Sequence, residues 1–288
     1  MSKEIKMKFG LIPQNMGDML NVYIPRDLFD YEVKHVNNIY HSQTTGIGSY
    51  LGDYFIEESK LQLKDRLKET AKKVKYFTGK SDVRIWSTGF MYYNNEVEVP
   101  IRKENEMKIS SVRGELSKKR LEKAFGKKLD ITTGDGGLLA NELVGEVEKK
   151  YSVGIIPHFR EKNEGIFHKA KDFYGNSVLI DLGEDPYEVV RKIGECDYII
   201  SSSLHGLIVA DSFNVPNIRV TKTNKMFGDG FKFDDYYSSF GVKSKKIHLN
   251  TENDFPKLDW ISDNYEITRE MVDTKKEEIR IAFKKFIE

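Results

Sequence analysis

Short apolar runs alternate with helical patterns along this chain, most regularly in its second half. In that half the apolar runs predict strands over residues 152–156, 177–180, 197–201 and 217–220. The helical spacing between and after them predicts helices over residues 164–173, 186–193, 204–213 and 233–240. Asp185 followed by Pro186 is a favoured start for one of these helices. Strands that alternate with helices are typical of a parallel sheet with helical crossovers.

The first half repeats this order less regularly. Its apolar runs predict strands over residues 7–12, 83–86 and 107–112. Helices are predicted from Met16 onward and over residues 114–125. Glycine-rich turns are predicted over 46–51 and 134–137. The charged residues 60–75 are predicted to form a helix or a loop. The repeated order predicts an α/β protein of two Rossmann-like domains, residues 1–145 and 146–288, whose parallel sheets face each other across a cleft. A ligand is expected in that cleft, between the strand ends.

A final helix is predicted over residues 268–287. One of its faces carries Ile279, Phe283, Phe286 and Ile287, with lysines around them. An amphipathic helix of this kind is expected to dock on the protein's own core, and here it can pack back on the first domain. Contact with a membrane surface is the alternative for such a face.

The most informative segment follows the predicted strand 197–201. Three hydroxyl residues, Ser201, Ser202 and Ser203, end the apolar run, and His205 and Gly206 follow at the start of a helix. Hydroxyls and free backbone N–H groups at a helix N-terminus form an anion site. A histidine there can move a proton near neutral pH. Because the helix N-terminus disfavours imidazolium, a bound dianion would be needed to restore that proton; a histidine that only caps its helix is the alternative.

Two further segments place basic residues at predicted strand ends. His158 and Arg160 follow the strand 152–156, and Pro157 is expected to end the ladder and turn both side chains outward. Arg113 lies at a strand-to-helix turn of the first half, where its planar fork suits a carboxylate or phosphate. An ordinary surface loop and a solvent-exposed arginine are the alternatives for these segments.

The glycine turns of the first half are candidates for the acceptor side of the cleft. Gly17, Gly46 and Gly48 allow close approach of the backbone, and Asp18 and Ser49 stand next to them. Asp18 is expected to cap the first helix. In the second half, the aromatic segment 231–237 is expected to pack at the domain interface, where its Lys232 could reach a ligand.

Composition narrows the function classes. The net charge of +1 gives no electrostatic case for a nucleic-acid partner. The single cysteine, Cys196, excludes an internal disulfide and a cysteine zinc cluster. No dinucleotide fingerprint follows a strand and no P-loop is present, which disfavours nicotinamide and P-loop chemistry. His35 and His41 lack a helical ligand spacing, so no metal is assigned. Neither a signal peptide nor a spanning helix is predicted, so a cytoplasmic protein is expected.

Taken together, these segments resemble the polysaccharide pyruvyl transferase family, most closely its bacterial exopolysaccharide branch. The matching pieces occur in family order and span nearly the whole chain: residues 15–21, 46–49, 85–90, 112–117, 134–135, 156–158, 201–206 and 232–241. The resemblance implies a two-domain fold similar to GT-B glycosyltransferases. It also implies a transferase that moves the enolpyruvyl unit of phosphoenolpyruvate to two hydroxyls of a sugar, forming a cyclic ketal and releasing phosphate.

The resemblance assigns roles to the candidate residues. His205 would be the catalytic histidine, while Arg113, His158 and the serine turn would surround the donor. Many relatives have arginine where this chain has Ser203, and Arg160 or Arg113 is expected to supply the missing charge. No metal or organic cofactor is implied, since phosphoenolpyruvate is a co-substrate.

Protonation of the donor's methylene carbon would make its neighbour electrophilic toward a sugar hydroxyl, and His205 is predicted to act as a general acid. The expected partners are phosphoenolpyruvate and a sugar acceptor of a capsule or exopolysaccharide pathway, which can be a lipid-linked oligosaccharide. Membrane contact would then be peripheral, at the inner face. Two other functions fit the same cleft: a GT-B-type glycosyltransferase that uses a nucleotide sugar, and a non-catalytic sugar- or nucleotide-binding module.

Overall fold

The computed structural model describes residues 3–11, 15–37, 44–57, 83–94, 98–100, 107–223 and 229–288. Within them, two five-stranded parallel sheets account for most strands, which confirms the predicted α/β class with parallel sheets. The GT-B-like arrangement and the domain limits at residues 145 and 146 stay predictions. The predicted helix or loop over 60–75 and the residue His41 lie outside the described part of the chain.

The first sheet has the strand order β2-β1-β3-β5-β7. Its strands are β1 Lys3–Lys8, β2 Tyr31–His35, β3 Thr44–Thr45, β5 Val83–Ile85 and β7 Met107–Ile109. The helices of this half are α1 Met16–Phe29 and α2 Glu115–Phe125. Two small sheets complete the half: the antiparallel pair β4 Phe55–Glu57 and β6 Glu98–Pro100, and the parallel pair β8 Ser111–Val112 and β9 Thr132–Thr133. Short 3₁₀ helices cover Leu51–Tyr54 and Gly136–Leu143.

The second sheet has the order β11-β10-β12-β13-β14, with its longest strands in the middle. Its strands are β10 Tyr151–Ile156, β11 Ser177–Leu179, β12 Cys196–Ser201, β13 Asn217–Thr221 and β14 Lys246–His248. The helices are α3 Gly165–Phe173, α4 Pro186–Gly194, α5 Leu204–Ser212, α6 Phe231–Ser238, α7 Leu258–Asn264 and α8 Arg269–Ile287, and a 3₁₀ turn covers Glu252–Asp254. No helix among the described residues is long and apolar enough to cross a membrane.

Two predicted strands of the first half need correction. The run predicted over 7–12 begins earlier, because β1 pairs with β2 from Lys3 onward. The run predicted over 107–112 is two strands in different sheets. The chain changes neighbours at Ser110, whose N–H and hydroxyl both bond the Ile85 carbonyl while its own carbonyl accepts from Thr132.

The last helix packs on the first sheet. The ring of Phe283 stacks on Phe29 of α1, with centroids 4.1 Å apart. The Trp86 indole donates to the Ile279 carbonyl at 3.3 Å, and Arg84 donates to the Phe286 carbonyl at 2.9 Å. The apolar face identified from the sequence is therefore buried against the strand β5 and its neighbours.

The carboxyl ends of the central strands place the candidate residues. The Ser202 N–H bonds the Ile156 carbonyl at 3.0 Å, so the turns after β12 and β10 lie side by side. In the first half, the Gly48 carbonyl accepts from the Gly89 N–H at 3.1 Å, and the Thr88 carbonyl accepts from Arg113 at 3.0 Å. The loops after β3, β5 and β8 thus form one connected edge.

Candidate active site

A cavity of about 180 Å³ lies at these strand ends and is lined by both halves of the chain. A single water needs only about 15 Å³, so a small organic anion has room here. The first half contributes Asn15, Asp18, Gly48, Ser49, Tyr50, Met91 and Arg113. The second half contributes His158, Phe159, Ser203, Leu204, His205 and Lys232. The structure thus brings together most of the segments that the sequence singled out.

His205 lies in the first turn of α5 and faces this cavity. Its Nε2 atom is buried and has no hydrogen-bond partner among the described residues. Burial, with the positive charges of Lys232 and Arg113, lowers the pKa of His205 to about 3. The side chain is therefore neutral near pH 7 without a ligand. The position of His205 at a helix N-terminus had predicted that its pKa is lowered, but burial of the ring is the largest cause of the shift.

Gly17 makes room for the His205 ring. A Cβ atom on Gly17 would come within 1.9 Å of the His205 Nδ1 atom. Helix α1 begins beside it, because the Asn15 side chain accepts from the Gly17 N–H at 2.9 Å and caps the helix. Gly17 does not line the cavity itself, so its part is to let the histidine pack closely on α1.

The serine turn is mostly a structural element. The Ser201 hydroxyl accepts from the Ser203 N–H and lies 3.1 Å from the Ile156 carbonyl. The Ser202 hydroxyl accepts from the His158 N–H at 2.8 Å. Only Ser203 of the three lines the cavity, and its side chain makes no capping bond to α5. The hydroxyls of Ser201 and Ser202 instead bond backbone groups of neighbouring strand ends, so a role for these two in binding the donor stays a prediction.

Gly206 does not line the cavity either. A Cβ atom there would lie 2.5 Å from the Ser201 hydroxyl, so the glycine lets α5 approach the turn. The first N–H groups of α5 have no partner within the helix, which leaves the helix N-terminus beside the cavity as an anion site.

His158 is buried rather than turned outward as predicted. Its Nδ1 atom accepts from the Arg160 N–H at 3.3 Å, which leaves Nε2 to carry the proton of the neutral ring. Burial, with Lys232 and Arg160, lowers the pKa of His158 to about 4. The Arg160 side chain is exposed and is absent from the cavity lining, with its guanidinium 5.8 Å from the Phe159 ring centroid.

Arg113 reaches the cavity, yet protein groups occupy its donors. Nε donates to Asp235 at 3.0 Å, and Nη1 donates to the Gly48 carbonyl at 3.0 Å and to the Ser49 hydroxyl at 2.7 Å. Nη2 donates to the Phe90 carbonyl at 2.6 Å. The fork that the sequence offered to a donor carboxylate or phosphate therefore holds the loop 48–49 against helix α6.

The acceptor-side residues divide in the same way. Asp18 lines the cavity and accepts from the Tyr50 hydroxyl at 2.6 Å, so it does not cap α1 as predicted. Burial raises the pKa of Asp18, and Tyr50 and Lys232 oppose the shift. Gly48, at φ +132°, and Ser49 line the cavity. Gly46 packs below it, where a Cβ would lie 2.4 Å from the Asn21 side-chain oxygen.

Lys232, which the sequence marked only as able to reach a ligand, is a further functional candidate. It lies in the first turn of α6 and lines the cavity, and no hydrogen bond or ion pair joins its ammonium to a residue that the structure describes. Burial, Arg113 and Arg219 lower the pKa of Lys232 to about 8, with Asp18 opposing. The available signal was a single lysine between Phe231 and Phe233, both of which are buried.

Comparison with known proteins agrees with the predicted resemblance. Residues 105–222 match the family model for polysaccharide pyruvyl transferase, a range that includes Arg113, His158 and His205. Uncharacterized protein L143 of Acanthamoeba polyphaga mimivirus is 30% identical over 155 residues, 48% of this chain and 54% of that protein. Succinoglycan biosynthesis protein ExoV of Rhizobium meliloti (strain 1021) is 29% identical over 107 residues, 36% of this chain and 33% of that protein. The chain thus matches about half of the first relative and a third of the second.

Proposed function

We propose that this chain, a member of the polysaccharide pyruvyl transferase family, transfers the enolpyruvyl unit of phosphoenolpyruvate to two hydroxyls of a sugar. The acceptor would belong to a surface or exopolysaccharide precursor, as the name of the relative ExoV suggests for that protein. The observation that carries the proposal is that one cavity is lined by both His205, whose buried Nε2 atom has no hydrogen-bond partner among the described residues, and Lys232, whose ammonium has no ion pair with any of them.

The donor is a small, highly charged anion, and the cavity offers suitable partners. Lys232 supplies a cation that no described residue neutralises, and helix α5 supplies its N-terminus. A bound anion raises the pKa of Lys232 above its value of about 8 in the unliganded protein. The lysine is then fully charged when the donor is bound.

The proposed reaction adds one proton to the donor and removes one proton from each of the two sugar hydroxyls. The donor's methylene carbon gains a proton and becomes a methyl group, and the first sugar hydroxyl bonds the adjacent carbon. The bond from that carbon to the phosphate oxygen breaks, and the second hydroxyl closes the ketal. Of the two hydroxyl protons released, one balances the proton that the methylene gained and the other leaves on hydrogen phosphate. The overall reaction needs no oxidant, metal or organic cofactor.

His205 is proposed as the general acid for the methylene carbon. Its pKa of about 3 makes it neutral in the empty cavity, and the negative charge of the donor raises that pKa when it binds. The acid would then form only on the complex, where protonation is useful. Proton transfer of this kind contributes roughly 10²–10⁴ in rate. His158, whose Nε2 carries the proton, would donate to an oxygen of the same anion.

The acceptor would enter from the side of Asp18, Gly48 and Ser49. A lipid-linked oligosaccharide is the proposed form of the acceptor, with the protein in the cytoplasm and at most in peripheral contact with the inner face of the membrane. The GT-B-like pair of domains, divided near residue 145, belongs to the same proposal.

The test is His205→Ala, with His205→Gln as the conservative variant and His168→Ala as the control. His168 is exposed on α3, away from the cavity. Both His205 variants are expected to lose about 10²-fold or more in phosphate release from phosphoenolpyruvate with a glycan acceptor, while His168→Ala keeps full activity. Mass spectrometry should show the acceptor gaining one pyruvate less one water.

Three results would contradict the proposal. Unchanged phosphate release in His205→Ala would remove the histidine from the reaction. In a thermal-shift comparison, stabilisation by uridine diphosphate and none by phosphoenolpyruvate would favour a nucleotide-sugar glycosyltransferase. Binding of the donor with no product from any glycan pool would favour a non-catalytic binding module.

A further inference from the structure

Arg219 is a buried arginine with no counter-ion among the residues that the structure describes. It lies on β13 and is 8% exposed, and its guanidinium stacks on the ring of Phe233, with Cζ 3.6 Å from the centroid. The Nε atom is buried without a hydrogen-bond partner, and no ion pair or hydrogen bond joins the group to any residue that the structure describes. A buried guanidinium normally has a carboxylate or several acceptors around it, and the described part of the chain supplies neither to Arg219.

Its position is next to the candidate active site. In the parallel pairing of β12 and β13, Arg219 lies opposite Ser201, where the turn that carries His205 begins. The Lys232 ammonium lies 5.4 Å from the centroid of the same Phe233 ring. Arg219 and Lys232 therefore both lie close to the ring of Phe233, and Lys232 lines the cavity.

The backbone adds further positive potential. A Cβ on Gly230, which has φ +103° and is the N-cap of α6, would come within 3.7 Å of both terminal nitrogens of Arg219. The guanidinium thus lies beside the N-terminus of α6, which disfavours a cation. Arg219 is also one of the charges that depress the pKa of Lys232. Such an arrangement is unfavourable in an empty protein and becomes favourable when an anion binds.

The nearby acidic groups do not pair with Arg219, although one oxygen of Glu161, Oε2, is buried without a hydrogen-bond partner among the described residues. The Asp234 carboxylate accepts from the Tyr93 hydroxyl. Glu161 turns its Oε1 to the N–H groups of Lys222 and Thr223, at 3.1 and 2.7 Å. Both carboxylates moderate the charge of Arg219 at longer range, but no described carboxylate comes within ion-pair distance of it.

We propose that Arg219 and Lys232 together bind the phosphoryl group of the donor, with the guanidinium fork on two of its oxygens and the ammonium on the third. This assignment rests on the proposed function. It gives the chain a second donor-binding cation in place of the arginine that relatives have at Ser203. Neither predicted substitute offers a free fork to the donor: the donors of Arg113 are taken by protein groups, and Arg160 does not line the cavity. An arginine fork matches phosphate geometry better than a single ammonium does.

The test is a binding titration of the full chain by calorimetry without acceptor, using phosphoenolpyruvate, inorganic phosphate and pyruvate in turn. Arg219→Met keeps an apolar side chain on Phe233 and removes the charge, and Lys232→Met does the same on α6. Each should weaken binding of phosphoenolpyruvate and phosphate about tenfold or more, and leave pyruvate within about twofold. The double variant should lose less than the product of the two single losses, because both groups hold the same ligand. Arg269→Met, at the exposed start of α8, is the control and should bind as wild type.

The direction in which phosphate affinity changes in Arg219→Met distinguishes a phosphate-binding role of Arg219 from a purely structural one. If Arg219 only stacks on Phe233, its removal relieves the repulsion on Lys232, and phosphate binds as well as before or more tightly. That result would overturn the inference, as would a loss confined to pyruvate. If Arg219→Met does not fold, Arg219→Lys serves instead and should bind phosphate about threefold or more weakly, because the fork is lost.

The two proposals can fail separately. If phosphate binding depends on Arg219 but no glycan is ever pyruvylated, the anion site stands and the proposed reaction falls. If the reaction proceeds and the Michaelis constant for the donor is unchanged in Arg219→Met, the reaction stands and the role of Arg219 falls.

Discussion

The position of the His205 imidazole depends on a neighbour without a side chain. Helix α1 brings Gly17 against the ring so closely that no other residue fits without displacing it. The ring is further confined because its own helix, α5, packs on the 3₁₀ segment Gly136–Leu143, where a Cβ on Gly137 would meet Ile208 at 3.0 Å. Close packing of neighbouring elements thus positions the histidine, and no residue in the described ranges hydrogen-bonds its Nε2 atom.

This packing predicts the effect of Gly17→Ala. The added methyl group must push the His205 ring away from α1, so the proton donor is displaced from the donor's methylene carbon. A displacement of about 1 Å is expected to lower kcat about 10²-fold, with a melting temperature close to wild type, because the ring can move into the cavity. Phosphate release and thermal unfolding are the two measurements.

Gly165→Ala is the matched control for this variant. Gly165 is the first residue of α3, and nothing lies within 4 Å of a Cβ placed there. It should keep full activity and gain slightly in stability, since alanine is the better helix former. Equal activity in Gly17→Ala and Gly165→Ala would mean that the close contact with the His205 ring has no part in positioning it.

At the scale of elements, the buried ion pair between Arg113 and Asp235 joins helix α6, helix α2 and the loop 48–49. Asp235 of α6 accepts from Arg113, and it also accepts from the N–H and hydroxyl of Ser117 on α2, both at 2.7 Å. Arg113 in turn holds the loop 48–49. The same pair therefore fixes the helix that carries Lys232 and the loop 48–49, which lines the cavity on the side proposed for the acceptor.

Asp235→Asn is predicted to be strongly destabilising. It leaves the fully buried Arg113 guanidinium without a counter-charge, and breaking such a pair costs about 3–5 kcal/mol in the free energy of unfolding. The control is Glu252→Gln, which removes an exposed pair with Lys169 that is worth about 0–1 kcal/mol. Chemical denaturation measures both. Losses of similar size in the two variants would show that the buried pair adds nothing to stability.

The sequence predicted the second sheet better than the first, for a physical reason. Strands β10 and β12 are mostly buried and carry apolar residues toward their carboxyl ends, and β13 is buried as well, so these strands can be found between turns even though Arg219 interrupts the pattern of β13. Strand β2 was missed because it is an edge strand whose residues are exposed or half-buried, with no apolar run to find. Strand β14 is short and mostly exposed, and it was missed for the same reason.

The sequence also located part of the candidate site but not the contacts within it. His205, His158 and Arg113 were found because strand ends place polar residues at the sheet edge. What each side chain bonds there was not predictable, since the partners of Arg113 come from residues up to 122 positions away along the chain. Arg219 was not identified from the sequence. It lies within the buried strand β13, where a charged residue interrupts the alternation of apolar positions and does not by itself indicate a binding site.

At the scale of the whole molecule, the two sheets share one large apolar cluster, while two smaller clusters lie mostly within one half each. A single cluster of buried side chains includes Met7 and Trp86 from the first half and Ile156 and Ile199 from the second, and Phe283 of the last helix belongs to it. Helix α8 thus connects the end of the chain to the first sheet. Since the cavity lies between loops of both halves, its shape depends on this shared core.

Phe283→Ala tests whether the halves unfold together. The ring is fully buried against Phe29 and Trp86, so its loss should cost about 3–5 kcal/mol of unfolding free energy. If the core is one unit, denaturant unfolding followed by fluorescence and by circular dichroism should stay a single transition, with a lower midpoint and an unchanged slope. Ile281→Ala, at an exposed position of the same helix, should shift the midpoint little. Two separate transitions in Phe283→Ala, with only the first half destabilised, would mean that each sheet is stable without the other and that the cavity is formed between independently folded parts.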